Sequence, residues 1–426
     1  MIASAGSSTV DRSYVADRGS HRDALDSSPA FGVLRQAHSN TVGSSPHVDS
    51  LTALRGIASL FVVMLHAFLF FKVSGADVPR SWPTGAEDLQ TFAHKILLVL
   101  FTGDAAVTLF FVLSGCVLAM SLERKARLDR ATLQQFYIRR FFRIYPALWL
   151  ANALGLLALL VVLTAGPSPL TTEWMRHEYA SPVPWTGVVK GFLGFQSTLN
   201  QPLWSILVEI VFSALFPIIF WLSRRPVAAA LTTGIAIGLL LMPLSIKYEL
   251  DIHLLPFVVG AIIPTVVLGD RTEQLLRPWW PWLCIIAIAA IILPRGLLLQ
   301  DSSMKSLCIL LEVIGSSVLI FALLRRKVSV PVLSSRPALF LGDISYSIYL
   351  LHFPILFMAG VAFVAWVPAW IGSNGLLATL GLAAGTMALT IPVAALSYRL
   401  VEVPGQRLPK LLTRSRPLTT GLPTAG

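Results

Sequence analysis

Charge is scarce in this chain. Only 13% of its 426 residues are Asp, Glu, Lys or Arg, about half the share typical of a soluble domain. That shortage excludes an ordinary soluble protein. With 55% hydrophobic residues and a mean hydropathy of +0.72, it points to an all-α, polytopic membrane helix bundle. Acidic residues are scarcer still, 22 against 33 basic ones. The basic excess is spread over alternate loops between apolar runs, so no nucleic-acid partner is expected. Cysteine is nearly absent. Cys116, Cys284 and Cys308 stand inside apolar runs without metal-ligand spacing; they read as small buried hydrophobes, and no metal centre is expected. A P-loop and a GxGxxG fingerprint are both missing, so a dinucleotide fold is not indicated. There is no internal repeat of the kind that marks an inverted-repeat transporter. No signal-peptide core precedes Leu51, so no cleavable signal is expected.

What is present is a series of membrane-length apolar runs. Ten candidates lie at roughly 51–71, 96–121, 144–165, 202–222, 227–243, 252–269, 279–298, 305–324, 338–365 and 377–400. The fifth is short and contains Gly234 and Gly238. The weakly apolar segment 186–200 reads as re-entrant or interfacial. Residues 1–50, rich in Ser, Asp, Arg, His and Gly, read as a disordered cytoplasmic tail. Residues 51–403 form the membrane domain, and 404–426 a short basic cytoplasmic tail. With the N-terminus inside, 24 Lys and Arg fall on the cytoplasmic side and 8 outside, Arg55 being intramembrane. That asymmetry favours a multi-pass protein of the cell membrane with both termini cytoplasmic.

The first run, LTALRGIASLFVVMLHAFLFF over Leu51–Phe71, carries Arg55 and His66 and no other titratable side chain. A cation at a helix centre in hydrocarbon costs at least about 2.5–3.5 kcal/mol and marks a functional position by default. Eleven residues at about 100° each bring both side chains to one helix face, roughly 16 Å apart along the axis. Arg55 then lies toward the cytoplasm and His66 toward the outside.

Further polar residues interrupt the other runs. Phe110–Gly115 ends in Ser114 and Gly115, small residues that let helices approach. Asp104 is either interfacial or the partner of a polar group. Arg139, Arg140 and Arg143, at the mouth of the third run, serve either as positive-inside anchors or as an anion site. Arg140 and Arg143 are helical neighbours, and guanidinium forks suit phosphate. Glu209 lies about 11 Å below the outer surface if the fourth run starts there. It is either a functional carboxylate or one half of an ion pair with Arg55 or His66. Trp204 is an interface-belt aromatic or part of a site. Ser345, Tyr349 and His352 share one helix face, turned to a cavity or to interhelical hydrogen bonds. His253 reads as interfacial, and Glu312 has no evident partner.

Together these segments resemble the acyltransferase-3 family of integral-membrane acyltransferases, which includes bacterial O-antigen and exopolysaccharide O-acetylases. The resemblance rests on Arg55-x10-His66, LFFVLSG at 109–115, RRFFRIYP at 139–146, PLWSILVE at 202–209, LGDISYSIYLLH at 341–352 and, more weakly, SYRLVEVP at 397–404. Each motif alone is weak; their order over residues 50–404 is specific. The resemblance implies a helical bundle of about ten spans that moves an acyl group, often acetyl, from acyl-coenzyme A to a hydroxyl. It implies a catalytic role for His66 and a donor site at Arg140 and Arg143. The chain departs from the family at Cys116, where an aromatic commonly follows Ser-Gly. The hydrolase-like extracellular domain of some members is not expected.

The expected function is therefore a membrane O-acyltransferase acting on a glycan, lipid-linked glycan or related small molecule. His66, Glu209 and Arg55 are the catalytic candidates, with His66 acting as general base or as acyl carrier. Arg139, Arg140 and Arg143 would hold acyl-CoA. Trp204, Ser345, Tyr349 and His352 would bind substrate. A proton-coupled transporter of a small anionic or sugar substrate is the other reading.

Overall fold

The computed structural model describes residues 46–86, 88–125, 127–242, 244, 246, 249–298 and 304–413. The expected N-terminal tail lies outside the described residues up to position 45, and the expected C-terminal tail from 414 onward. The described chain is helical, with isolated β-bridges but no strand. Eight helices among the described residues are long and apolar enough to cross a membrane. Two shorter apolar helices stand where the fifth and sixth runs were expected. An all-helical solution follows from the sequence, since each backbone group in hydrocarbon must find its partner within its own segment.

Helix α1, Pro46–Phe68, has Asp49 in its first turn, favourable at the positive end of the helix. The expected second span divides in two: α2, Leu89–Leu100, is capped by the Asp88 side chain, and α3 runs Gly103–Glu123. The break falls at Phe101 and Thr102, whose backbone leaves the helical region, and a Cβ at Gly103 would stand 3.1 Å from Val62 Cα of α1. Helix α4, Arg130–Ala165, is capped by Asp129, whose carboxylate accepts from Thr132 N at 2.8 Å. At 36 residues it is about 54 Å long, well beyond the hydrocarbon thickness of about 30 Å. It therefore begins some fourteen residues before the expected span, and that extension carries Arg139, Arg140 and Arg143.

After α4 come two short helices, α5, Glu173–His177, and α6, Trp185–Phe192. The segment expected to be re-entrant or interfacial is thus an eight-residue helix, too short to cross. It is held against α4 by Trp149 Nε1 donating to Phe192 O (3.1 Å) and Tyr145 OH donating to Leu193 O (3.2 Å). A 3₁₀ turn, Gln201–Leu203, leads into α7, Trp204–Ser223. Then follow α8, Pro226–Leu241, and α9, Leu250–Ile262. Pro264, which has no N–H to continue the ladder, lies in the 3₁₀ turn Ile263–Thr265 that ends α9. The remaining long helices are α10, Trp280–Ile292, α11, Lys305–Leu324, α12, Arg336–Trp366, and α13, Gly375–Ser397. A π-helical turn, Tyr398–Glu402, joins α13 to α14, Val403–Thr413.

Between helices in lipid, packing rather than water exclusion supplies the attraction, and small residues set how close backbones come. Gly115 and Gly260 face each other where α3 crosses α9: a Cβ on Gly115 would meet Phe257 O, and one on Gly260 would meet Val112 O. Gly56 and Gly342 do the same for α1 and α12. A Cβ on Gly56 would stand 2.6 Å from Gly342 N, and one on Gly342 would strike Thr52 O. Ten residues beyond this crossing on both helices, His66 and His352 are again in contact, at 3.2 Å. Two contacts separated by the same stride mean that α1 and α12 run parallel and in step.

Candidate active site

One cavity borders the His66 end of α1, and a second lies among the arginines of α4, one of which, Arg143, acts electrostatically on Arg55. At the histidine end is a cavity of about 380 Å³ bordered by His66, Asp104, Trp174, Trp204 and Tyr349, among others. Its floor follows from the packing just described. Helix α3 starts close against α1 at Gly103, so Asp104 comes to the level of His66. The 3₁₀ turn before α7 is buried at Pro202 and Leu203, and Asn200 donates to Leu350 O of α12 at 2.8 Å. Helix α7 thus begins inside the protein, beside His66, and Trp204 is a cavity wall.

His66 is held from three sides. Its Nδ1 is 2.9 Å from Val62 O, one turn back on α1, and 3.2 Å from His352 Nε2. Trp174 of α5 stacks over its ring at 6.0 Å and 23°, and Phe353 meets it edge-on at 5.2 Å. Asp104 pairs with Arg80 and lies 3.7 Å from Arg295. Arg295 in turn donates from Nε to Glu312 at 2.6 Å, and Thr108 donates to the same carboxylate at 2.7 Å. Asp104 is thus the partner of a polar group, and Glu312, which had no evident partner in the sequence, has two. This chain of alternating charges is consistent with the rule that intramembrane ions pair off.

The polar stripe of α12 divides three ways. Tyr349 borders the cavity, with its hydroxyl 2.6 Å from Ser205 Oγ and 3.0 Å from Pro202 O. His352 is fully buried and stands behind His66 rather than on the cavity wall. Ser345 is also buried and donates back to Gly342 O at 2.7 Å; it belongs to the helix crossing. His253, expected at the interface, is buried and stacks on Trp204 at 5.3 Å.

At the arginine end, a cavity of about 250 Å³ is bordered by Arg139, Arg140, Arg143, Lys125, Thr132 and Gln406, among others. The three arginines predicted to act together do converge here. Arg140 pairs with Glu209 and donates to Ser213 Oγ at 2.7 Å; Ser114 Oγ donates to Glu209 at 2.6 Å. Arg143 donates to Glu402 at 2.6 Å, with its guanidinium 5.0 Å from the Tyr346 ring centre. Ser347 donates to the other oxygen of Glu402 at 2.5 Å. Arg55 has neither a hydrogen bond nor an ion pair among the described residues. It lies in the electrostatic field of Arg143, Glu402, Glu209 and Asp343. Glu209 and Glu402 thus hold Arg140 and Arg143, and Arg55 lies among these groups and Asp343.

Glu209 is therefore not brought to His66, and it is not near the mouth of the histidine cavity. The reason is that α7 starts at the level of His66 and not at the membrane surface, so five further residues carry Glu209 down to the arginines. Sequence reasoning also missed Glu402, which lies just past the last apolar run and beside Arg399, so it lacked the signal that singled out Glu209, a lone carboxylate inside a run. Trp174 and Arg80 carried no such signal, since both come from loop segments whose placement depends on tertiary contacts.

Comparison with known proteins identifies the family. A family model described as an acyltransferase domain, that of acyltransferase-3, matches residues 48–398. Acyltransferase MdmB of Streptomyces mycarofaciens is 26% identical, covering 88% of this chain and 94% of its own. Exopolysaccharide production protein ExoZ of Rhizobium meliloti is 29% identical over 67% of this chain and 88% of its own. O-acetyltransferase OatA of Staphylococcus aureus is 23% identical over 76% of this chain, which covers 57% of OatA. No solved structure matches the chain. The transporter reading is set aside, and the chain belongs to the acyltransferase-3 family, as a membrane enzyme transferring acyl groups other than amino-acyl groups.

Proposed function

We propose that the enzyme moves an acyl group, acetyl in the simplest case, from acyl-CoA to a hydroxyl of a glycan, lipid-linked glycan or related small molecule. The observation that carries this reading is the presence of two unlike cavities, one bordered by His66 of α1 and one by the arginines of α4, of which Arg143 acts electrostatically on Arg55. A cationic pocket at Arg140 and Arg143 suits the phosphates of a nucleotide-bearing donor. The other pocket presents an imidazole between aromatic walls, which suits a hydroxyl-bearing acceptor. The relatives named for O-acetyl transfer and exopolysaccharide production support an oxygen acceptor.

In this reading Arg139, Arg140 and Arg143 hold the donor phosphates, with Arg55 behind them as the unpaired cation. The donor's flexible arm runs along the Arg55–His66 face, roughly 16 Å. His66 takes the proton of the acceptor hydroxyl as its oxygen attacks the thioester carbonyl, and the C–S bond then breaks. The proton passes to the departing thiolate. Trp174, Trp204 and Tyr349 shape the acceptor pocket. The positive-inside pattern supports a cell-membrane protein with both termini cytoplasmic, so that the donor enters from the cytosol. The same reading keeps 51–403 as the core of the catalytic domain, which α1 extends back to Pro46 and α14 extends through Gln406 on the wall of the arginine cavity.

The test is acyl transfer from labelled acetyl-CoA in isolated membranes supplied with candidate acceptors. Wild type transfers label, and His66→Ala, inserted at the same level, does not. Arg140→Ala and Arg143→Ala raise the donor KM several-fold more than the acceptor KM. Full transfer by His66→Ala refutes the role of His66. A rise confined to the acceptor KM moves the donor site elsewhere.

A further inference from the structure

We propose that His352 is a positioning residue that fixes which nitrogen of His66 is the base. The inference rests on the reading of His66 as the group that deprotonates the acceptor. It starts from what each ring nitrogen faces. A carbonyl oxygen only accepts hydrogen bonds, and a neutral imidazole has one donor nitrogen and one acceptor nitrogen. His352 Nδ1 lies 2.7 Å from Tyr349 O and 3.2 Å from Ile348 O. That nitrogen therefore carries the proton, and His352 Nε2 is a lone pair. His66 Nδ1 lies 2.9 Å from Val62 O and 3.2 Å from that same Nε2. Both neighbours are acceptors, so His66 Nδ1 carries the proton. His66 Nε2 is then left as the free lone pair, on the ring that borders the cavity.

When His66 Nε2 takes the acceptor's proton, the ring becomes an imidazolium. The charge is shared through Nδ1–H toward the lone pair of His352, and no second proton has to move. In the serine-protease triad a carboxylate orients the histidine. Here a neutral imidazole anchored on backbone carbonyls does so, which avoids placing another charge in the membrane interior. His352 is fully buried and does not touch the cavity, so it acts through His66 alone. The Gly56–Gly342 crossing, ten residues back on both helices, holds the two rings in register.

Two variants and one chemical probe test this in the full-length protein. His352→Phe keeps the ring volume and removes the lone pair. His352→Gln offers an amide oxygen near the place of Nε2. His352→Phe should lower kcat at least tenfold with both KM values within twofold of wild type, and His352→Gln should restore most of the loss. Diethyl pyrocarbonate, which attacks the lone pair of a neutral imidazole, should label residue 66 and spare residue 352 when the folded protein is mapped by mass spectrometry. Equal kcat in His352→Phe and wild type overturns the proposal, as does labelling at 352 but not at 66. So does an equal loss in both variants with parallel loss of thermal stability, which would make His352 a packing residue. If wild type transfers no acyl group while labelling at 66 proceeds, the functional reading fails and the tautomer assignment stands.

Discussion

Glu178 stands in the loop between α5 and α6, next to Tyr179, whose ring is buried against Phe357 at 4.9 Å. Burial without a compensating charge pushes its carboxyl up to about 7 from an ordinary 4.5. A folded-state value above the unfolded one means that Glu178 favours the fold while protonated. Its contribution is fully present below about pH 4.5 and is lost as pH rises through about 7. Glu178→Gln should therefore leave thermal stability in detergent unchanged at acid pH and raise it at pH 8, by up to roughly 3 kcal/mol. Equal melting of the two proteins at pH 8 would refute this. Legibility at this scale followed cost. Arg55, His66, Arg140 and Arg143 stood out because ionisable groups in or at the edge of apolar runs are expensive. What they touch was not readable: Glu209 was expected to be a functional carboxylate or to pair with Arg55 or His66, and it holds Arg140.

Single helices show why their lengths were harder to read than their number. Hydropathy marks where a run is apolar and misses caps, prolines and glycines that decide where a helix starts and stops. So α4 begins fourteen residues before its apolar run, at an Asp129 cap, and α9 stops before Pro264 although the apolar residues continue. The close crossing of α1 and α12 was equally invisible, because Gly56 and Gly342 gain meaning only once the helices are neighbours. Gly342→Leu should force that crossing apart and cost about 1–3 kcal/mol or more, read as a lower melting temperature and loss of acyl transfer. Gly385→Leu is the matched control: a Cβ at Gly385 of α13 meets nothing within 4 Å, and the variant should melt as wild type does.

Across the whole molecule, one cavity is bordered by His66 and the other by Arg139, Arg140, Arg143 and Lys125, so the basic residues concentrate at the second. Sealed membrane vesicles can separate the two substrates by side. On the proposed orientation, membrane-impermeant acyl-CoA should support transfer only in inside-out vesicles. Transfer in right-side-out vesicles at an equal rate would reverse the orientation. The all-helical bundle was legible from composition alone, since apolar runs of about twenty residues have few other uses. The pairing of helices was not, because every apolar face looks alike to a sequence.

The two cavities share no bordering residue, and the stacking partner of His66 on its open side, Trp174, comes from a loop helix of five residues. On the proposed function, exchange of the segment around Trp174 would therefore reshape the pocket for a different hydroxyl and leave the arginines and their carboxylates as they are.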